Sequence, residues 1–262
     1  MAGVMCGSLS ARASITQVAT SGSWDGNPPG TLSTVMQNML GQPGYDVNAA
    51  GNRVDDSVDQ VWTAPTGSGA STLLLAIAGY AGNNSFGIYN LATGAKLQIF
   101  SGIGSMSAPV PVPVTFVNGS ASVGGGPAVE IGTDFGFYLG TAGSPNGYWY
   151  SQQSLNQDNG GDHMVTLTTS STQTLTPSAA VTSTGWTAAA GNLAWNPGSY
   201  LLGWEDLPVS NPNMGDVDYQ DMVVEVSGFT PVPEPTTVLA GALLLLPFGA
   251  STLRILRRKR AA

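Results

Sequence analysis

The chain has little charge and less base. Asp, Glu, Lys and Arg make up 9% of its 262 residues, against 42% hydrophobic. Of eight Lys and Arg, Arg12 lies near the N-terminus and Arg254, Arg257, Arg258, Lys259 and Arg260 close the chain, so only Arg53 and Lys96 serve everything between. Residues 14–233 set those two bases against 15 of the 16 acids, a formal balance of −13. Phosphate backbones are bound by basic residues that release counterions, so this charge distribution excludes nucleic acid as a partner. There is one cysteine, Cys6, and one histidine, His163. A body beginning at residue 14 therefore has no disulfide. Nucleophilic hydrolysis needs a base, an acid that orients it and an exposed nucleophile. Asp162-His163 supplies the first two, but no Gly-x-Ser-x-Gly elbow occurs anywhere. Gly102-Ile103-Gly104 and Gly124-Gly125-Gly126 do not continue into a phosphate-cradling pattern. A two-carboxylate glycosidase pair could be drawn from Glu130 and Glu205, as from almost any acidic chain. The expectation is a protein that is not an enzyme.

Long apolar runs are also missing, with one exception. Residues 236–253 carry no charge and centre on four consecutive leucines, about the minimum length for a transmembrane helix. The five bases that follow mark the cytoplasmic side, which places the 230 residues before Pro231 beyond the inner membrane. Directly before the run stand Val232, Pro233, Glu234 and Pro235. Two prolines around a lone acid make a stiff, extended segment. This triad, the short apolar helix and the basic end together resemble the PEP-CTERM sorting signal of Gram-negative bacteria. The resemblance makes 231–262 the sorting signal and implies recognition of 232–235 by an exosortase-type enzyme, removal of the helix and basic tail, a transient stay in the inner membrane and delivery to the cell surface or extracellular matrix. At the other end, Ala11-Arg12-Ala13 has the small-x-small pattern of a signal-peptidase site, so residues 1–13 are read as the remnant of a signal peptide.

Between these segments, from 14 to 230, glycine and proline are frequent and short apolar runs recur between turn clusters. That pattern predicts an all-β body, a jelly-roll-like β-sandwich, rather than a helical one. Strands are expected at 73–78, 86–89, 97–100, 112–117, 135–139, 148–151, 164–168, 200–204 and 222–226. In the last, Met222, Val224 and Val226 alternate with Asp221, Val223 and Glu225, which predicts one buried and one wet face. One helix is expected at 32–40, with Leu32, Val35, Met36 and Met39 on one face and Gly41 as its stop. The Pro-x alternation at 108–114 suits an edge strand or a connector. The stretch 166–187 holds 13 Ser or Thr in 22 residues and suits a polar strand or a flexible segment.

The densest chemistry lies at Glu205, Asp206, Asp216, Asp218 and Asp221, five acids within 17 residues and no base among them. Such a cluster repels itself unless it is solvated or bridged by a cation, which makes it a candidate calcium site. The same acids could instead hydrogen-bond the backbone of a tight β-loop. The stretch Gly203-Trp204-Glu205-Asp206-Leu207, followed by Asp216-Val217-Asp218-Tyr219-Gln220-Asp221, resembles a family of bacterial extracellular β-rich domains of uncharacterised function. Phe86-Gly87-Ile88-Tyr89-Asn90 and Asp162-His163 look like further elements of it, which extends the similarity over about 73–226. The resemblance implies an exported β-sandwich with no established catalysis. Gln220 stands where that family usually has Asn.

His163 sits in a polar loop and is read as solvated or as a brace. Tyr148 and Tyr150 share one face of a strand and Trp149 takes the other, so the tyrosines are candidates to stack on a sugar such as exopolysaccharide, while Trp186, Trp195 and Trp204 are expected in the core. Altogether the sequence predicts an exported structural or adhesive domain. The alternative is a secreted protein that binds or hydrolyses polysaccharide.

Overall fold

The computed structural model describes residues 16–19, 30–76, 82–101, 109–180, 187–209 and 217–233. The signal-peptide remnant, Cys6, Trp186, Asp216, Glu234, Pro235, the apolar run at 236–253 and the five terminal bases lie outside the described residues. Among the described residues no helix is long and apolar enough to cross a membrane.

The body is mostly β, and every strand pairing is antiparallel. One sheet orders β16 (Thr230–Val232), β1 (Val61–Thr63), β8 (Asp134–Gly140), β3 (Ser85–Asn90) and β4 (Lys96–Ser101), with β9 (Tyr148–Tyr150) also paired to β8. The second orders β10 (Met164–Leu167), β14 (Ser199–Trp204), β15 (Met222–Ser227), β2 (Ser68–Ala76), β5 (Val112–Val117), β6 (Ser120–Val123) and β7 (Val129–Glu130), with β12 (Thr187–Ala188) on β2. A separate ribbon joins β11 (Gln173–Leu175) to β13 (Leu193–Trp195). All nine expected strands are present.

The two large sheets enclose one core. Phe86, Phe135, Phe137, Leu139 and Trp149 from the first meet Met164, Leu202, Trp204, Met222, Val224 and Val226 from the second. A second core lies on the other face of the second sheet, where Val165, Leu167, Leu201 and Val223 meet Leu32, Val35, Met36 and Met39 of α1 (Leu32–Leu40). The helix has the predicted bounds and buries the predicted face. It ends at Gly41, whose φ of 64° is the left-handed conformation that glycine adopts without penalty. The helix also corrects the expectation for β15, since both faces of that strand are buried and neither is wet. Glycine makes the approach possible, because a Cβ at Gly203 would stand 2.8 Å from a methyl of Leu32 and 2.8 Å from the Tyr219 carbonyl.

Two further differences concern local signals. A second helix, α2 (Pro177–Ala180), begins inside the Ser/Thr-rich stretch, so the body has more than the single helix expected. Proline at a first helical position costs nothing there, because that N–H has no intrahelical partner. The Pro-rich segment yields β5, which is interior to its sheet, between β2 and β6. Its ladder with β6 begins at Val114, so Pro113 is spared from donating to it. At the other end, β16 runs across the expected 230/231 boundary: Val232 pairs with Val61 and Pro231 with Trp62. Proline is tolerated on such an edge strand.

Candidate metal centre

Antiparallel pairing brings two acidic stretches together. Strand β14 ends at Trp204 opposite Met222, the first residue of β15. Glu205 and Asp206 leave one strand where 217–221 enter the other. The junction is tied by Asp221 N–H to the Trp204 carbonyl (3.1 Å) and by Glu205 N–H to the His163 carbonyl (3.1 Å). Val217 and Tyr219 have φ of 55° and 56°. Left-handed backbone on a β-branched and an aromatic residue stores strain, of order 1–3 kcal/mol each, and such strain tends to collect at functional sites. Between them, Asp218 is turned inward and is fully buried.

Glu205, Asp218 and Asp221 each contribute a carboxylate oxygen to a group lying within 4.8 Å of one another. All three are buried, as is Asp206. The carboxylates also hold the loop. Glu205 accepts from Leu207 N–H and Asp218 N–H (3.2 Å each), Asp218 from Gln220 N–H (3.3 Å) and Gln220 Nε2 (2.8 Å), and Asp221 from Asp206 N–H (2.7 Å). Backbone bracing therefore accompanies the clustering, and a carboxylate has lone pairs enough for both roles. Burial pushes the Asp221 carboxyl well above the usual carboxylate range, and the charges of Glu205, Asp206 and Asp218 push it further. Of the five acids expected to share an ion, three converge. Asp206 turns its carboxylate to Asn84 Nδ2 (2.8 Å), and Asp216 lies outside the described residues.

The centre is held from behind by residues remote in sequence. His163 is fully buried and stacks on Trp149, with ring centroids 3.7 Å apart and planes within 9°. Its Nδ1 faces the Glu205 carbonyl at 3.0 Å and its Nε2 the Asp158 carboxylate at 3.1 Å. Both partners are acceptors, so the ring is held between two oxygens. Trp149 Nε1 donates to the Asp206 carbonyl (2.9 Å). His163 is thus a brace and is not solvated. Asn84, Trp149 and Gly143 were not singled out for this centre from the sequence. A Cβ at Gly143 would come to 2.2 Å of the Asp206 carbonyl, so the loop fits only with glycine there.

A second buried acidic group lies nearby. Arg53 pairs with Asp56 (2.9 Å) and donates to the Thr16 carbonyl (3.1 Å). Thr16 in turn donates through its backbone to Asp56 and through its hydroxyl to Asp162 (2.8 Å), which fastens the 16–19 segment to the body. Asp59 is buried beside them, its carboxyl pushed well above the usual range by burial first and by Asp162 next. Burial and the Asp56 charge raise Asp162 from 3.8 to about 7. The folded protein therefore holds this proton more tightly than the unfolded chain, and the stability it lends is full below about pH 4 and lost as pH rises to about 7. Asp162→Asn should remove this slope, making the variant the more stable protein at pH 8 but not at pH 4. Urea titrations at the two pH values check this, and an unchanged difference would contradict it.

Tyr148 and Tyr150 share one face and Trp149 is buried on the other, as expected. Lys96 Nζ stands 4.4 Å from the Tyr148 ring centroid and 5.3 Å from that of Tyr150, so a cation already lies over both faces. Trp195 and Trp204 are buried, as predicted. Glu130 is exposed on β7 and accepts from Ser120 Oγ (3.0 Å), whereas Glu205 is fully buried.

Residues 129–228 match the model of a family described as a domain of unknown function, DUF4114. The matched segment contains Trp149, Asp162-His163 and the whole acidic centre, and Phe86-Gly87-Ile88-Tyr89-Asn90 falls outside it. No curated protein and no solved structure matches the chain.

Proposed function

We propose that this protein is an exported, non-enzymatic β-domain with a structural or adhesive role at the cell surface or in the extracellular matrix, braced by calcium at Glu205, Asp218 and Asp221. One observation carries the calcium reading: three convergent carboxylates, with Asp206 beside them, are buried where the charges acting on Asp221 are all negative. Burying like charges beside one another is costly, and a cation offsets that repulsion. Calcium–oxygen distances of about 2.3–2.6 Å put ligands on opposite sides of an ion at about 4.6–5.2 Å, a span that accommodates this cluster. Magnesium demands strict octahedral geometry at about 2.0–2.1 Å and usually keeps several waters, which suits an enclosed set of protein carboxylates less well. An ion here would join the end of β14 to the start of β15. A site so enclosed suits a structural ion better than a catalytic one, and Asp206, committed to Asn84, acts as a flanking support.

The export reading rests on the tail. Pro231 and Val232 are held in β16, so the folded body reaches to within two residues of Glu234. An exosortase-type enzyme at the inner membrane would meet its 232–235 recognition segment directly against the domain. Exopolysaccharide is the partner that such a destination supplies. Changing Pro233, Glu234 and Pro235 together to alanine should leave the full-length precursor in the membrane fraction, while the unchanged chain is shortened and recovered outside. Immunoblots of fractionated cells read both, and equal processing of the two would refute the sorting reading.

A further inference from the structure

A cleft of about 500 Å³ opens between the loop after α1 (42–52) and the segment joining β10 to β11 (168–173), with Trp195 in its lining. Its size falls within the usual range for small-ligand sites, about 300–1,000 Å³. We propose that this cleft binds a neutral oligosaccharide, an assignment that depends on neither the calcium nor the sorting reading.

Three features select that class of ligand. The polar side chains are fixed before any ligand arrives. Gln42 Nε2 donates across the cleft to Gln173 Oε1 (2.9 Å), Gln173 Nε2 donates to Ser171 Oγ (2.8 Å), and Asn52 Nδ2 donates to the Asp46 carbonyl (2.8 Å). The amide oxygens of Gln42 and Asn52 are left to accept from sugar hydroxyls, and amides set in one orientation lose little freedom on binding. Charge is nearly absent: among the described residues of the lining Asp46 is the only acid and none is a base. Burial pushes the Tyr45 phenol upward, so it stays neutral. Its hydroxyl is buried without a hydrogen-bond partner among the described residues, which leaves one donor unused beside the cleft. Phosphorylated, sulfated and uronic acid ligands would meet Asp46 and an acidic body with nothing to pair with. Finally, the lining sets amides and hydroxyls beside the half-buried Tyr45 ring, with Trp195 buried behind them, and offers few aliphatic anchors, a surface suited to a sugar ring with polar edges rather than to a peptide.

The full chain should bind at least one of maltohexaose, cellohexaose and laminarihexaose in titration calorimetry, with saturation-transfer NMR confirming contact. Gln42→Ala with Asn52→Ala should weaken binding about tenfold, the equivalent of two ordinary hydrogen bonds, at an unchanged thermal midpoint. Tyr148→Ala with Tyr150→Ala should leave affinity within about twofold, because neither residue lines the cleft. Should the double amide variant fail to fold, Gln173→Glu, which adds a second carboxylate to the lining at a half-buried position, should weaken binding instead. Absence of binding to all three probes would overturn the proposal, as would undiminished binding by folded cleft variants, loss that follows the tyrosine variant alone, or tighter binding of an oligogalacturonate or a peptide.

Discussion

Replacing His163 by alanine should lower folding stability by about 3–5 kcal/mol, the range for deleting a large buried ring. For a domain of this size the thermal midpoint should fall by roughly 10 °C. The ring fills space against Trp149 at 3.7 Å between centroids, and its removal opens a cavity in the only stack of the His–aromatic kind among the described residues. It also deprives two buried acceptors, the Glu205 carbonyl and the Asp158 carboxylate, of their contacts to the ring. Loss of one partner leaves the other paying its full desolvation cost. His163→Gln can donate to one of the two, so it should recover part of the loss. Differential scanning calorimetry of the three proteins decides the matter. An alanine variant within about 1 kcal/mol of the native protein would mean that the brace is dispensable.

Calcium at a hundredfold excess over its dissociation constant should stabilise the folded protein by about 2.7 kcal/mol. That corresponds to a rise of roughly 5–10 °C in thermal midpoint, reversed by chelator. Asp218→Asn together with Asp221→Asn should abolish the response, because each substitution removes a ligand from the cluster. The sign of the metal-free comparison is equally informative. Without an ion, Asp221 lies buried among the charges of Glu205, Asp206 and Asp218, so neutralising two of the acids should make the metal-free variant more stable than the metal-free native chain. A native protein indifferent to calcium, or a variant that still responds, would contradict the assignment. Because His163 contacts the Glu205 carbonyl, its alanine variant should also need more calcium for the same shift.

What the sequence made legible follows from range. Helix α1 is local physics: an apolar stripe at helical spacing and a glycine to stop it, so its bounds could be read directly. Strands of four or more residues with apolar runs were equally visible. Apart from β9, whose three aromatic residues gave it away, the two- and three-residue strands β1, β7, β11, β12, β13 and β16 are too short to display a period and exist only through their partners. Strand β2 starts five residues earlier than its apolar run, because Ser68-Gly69-Ala70 can lie flat under Phe229, and a Cβ at Gly69 would come to 2.3 Å of that ring. The two-faced burial of β15 was hidden for a related reason: Glu225 and Asp221 look like solvent-facing residues until α1 and its loops cover that side.

The acidic centre was half legible. Asp218 and Asp221 stand three apart, and Glu205 belongs to the same strand pair, so their convergence follows once β14 and β15 are neighbours. Asn84 reaches Asp206 across 122 residues of sequence, and Trp149 on β9 and His163 just before β10 meet it from elsewhere in the chain, contacts that no local pattern announces. The Arg53–Asp56 pair carried a fainter signal, an i,i+3 spacing at one of two bases in the body, but its link to Thr16 and Asp162 required the fold.

The most direct test of calcium bracing is equilibrium dialysis of the purified protein against calcium, with bound metal measured by atomic emission. The native chain should retain close to one ion, and the Asp218→Asn, Asp221→Asn variant should retain none while keeping its β-sheet circular dichroism. A folded native protein that binds no calcium, or a variant that binds as much as the native chain, would contradict it.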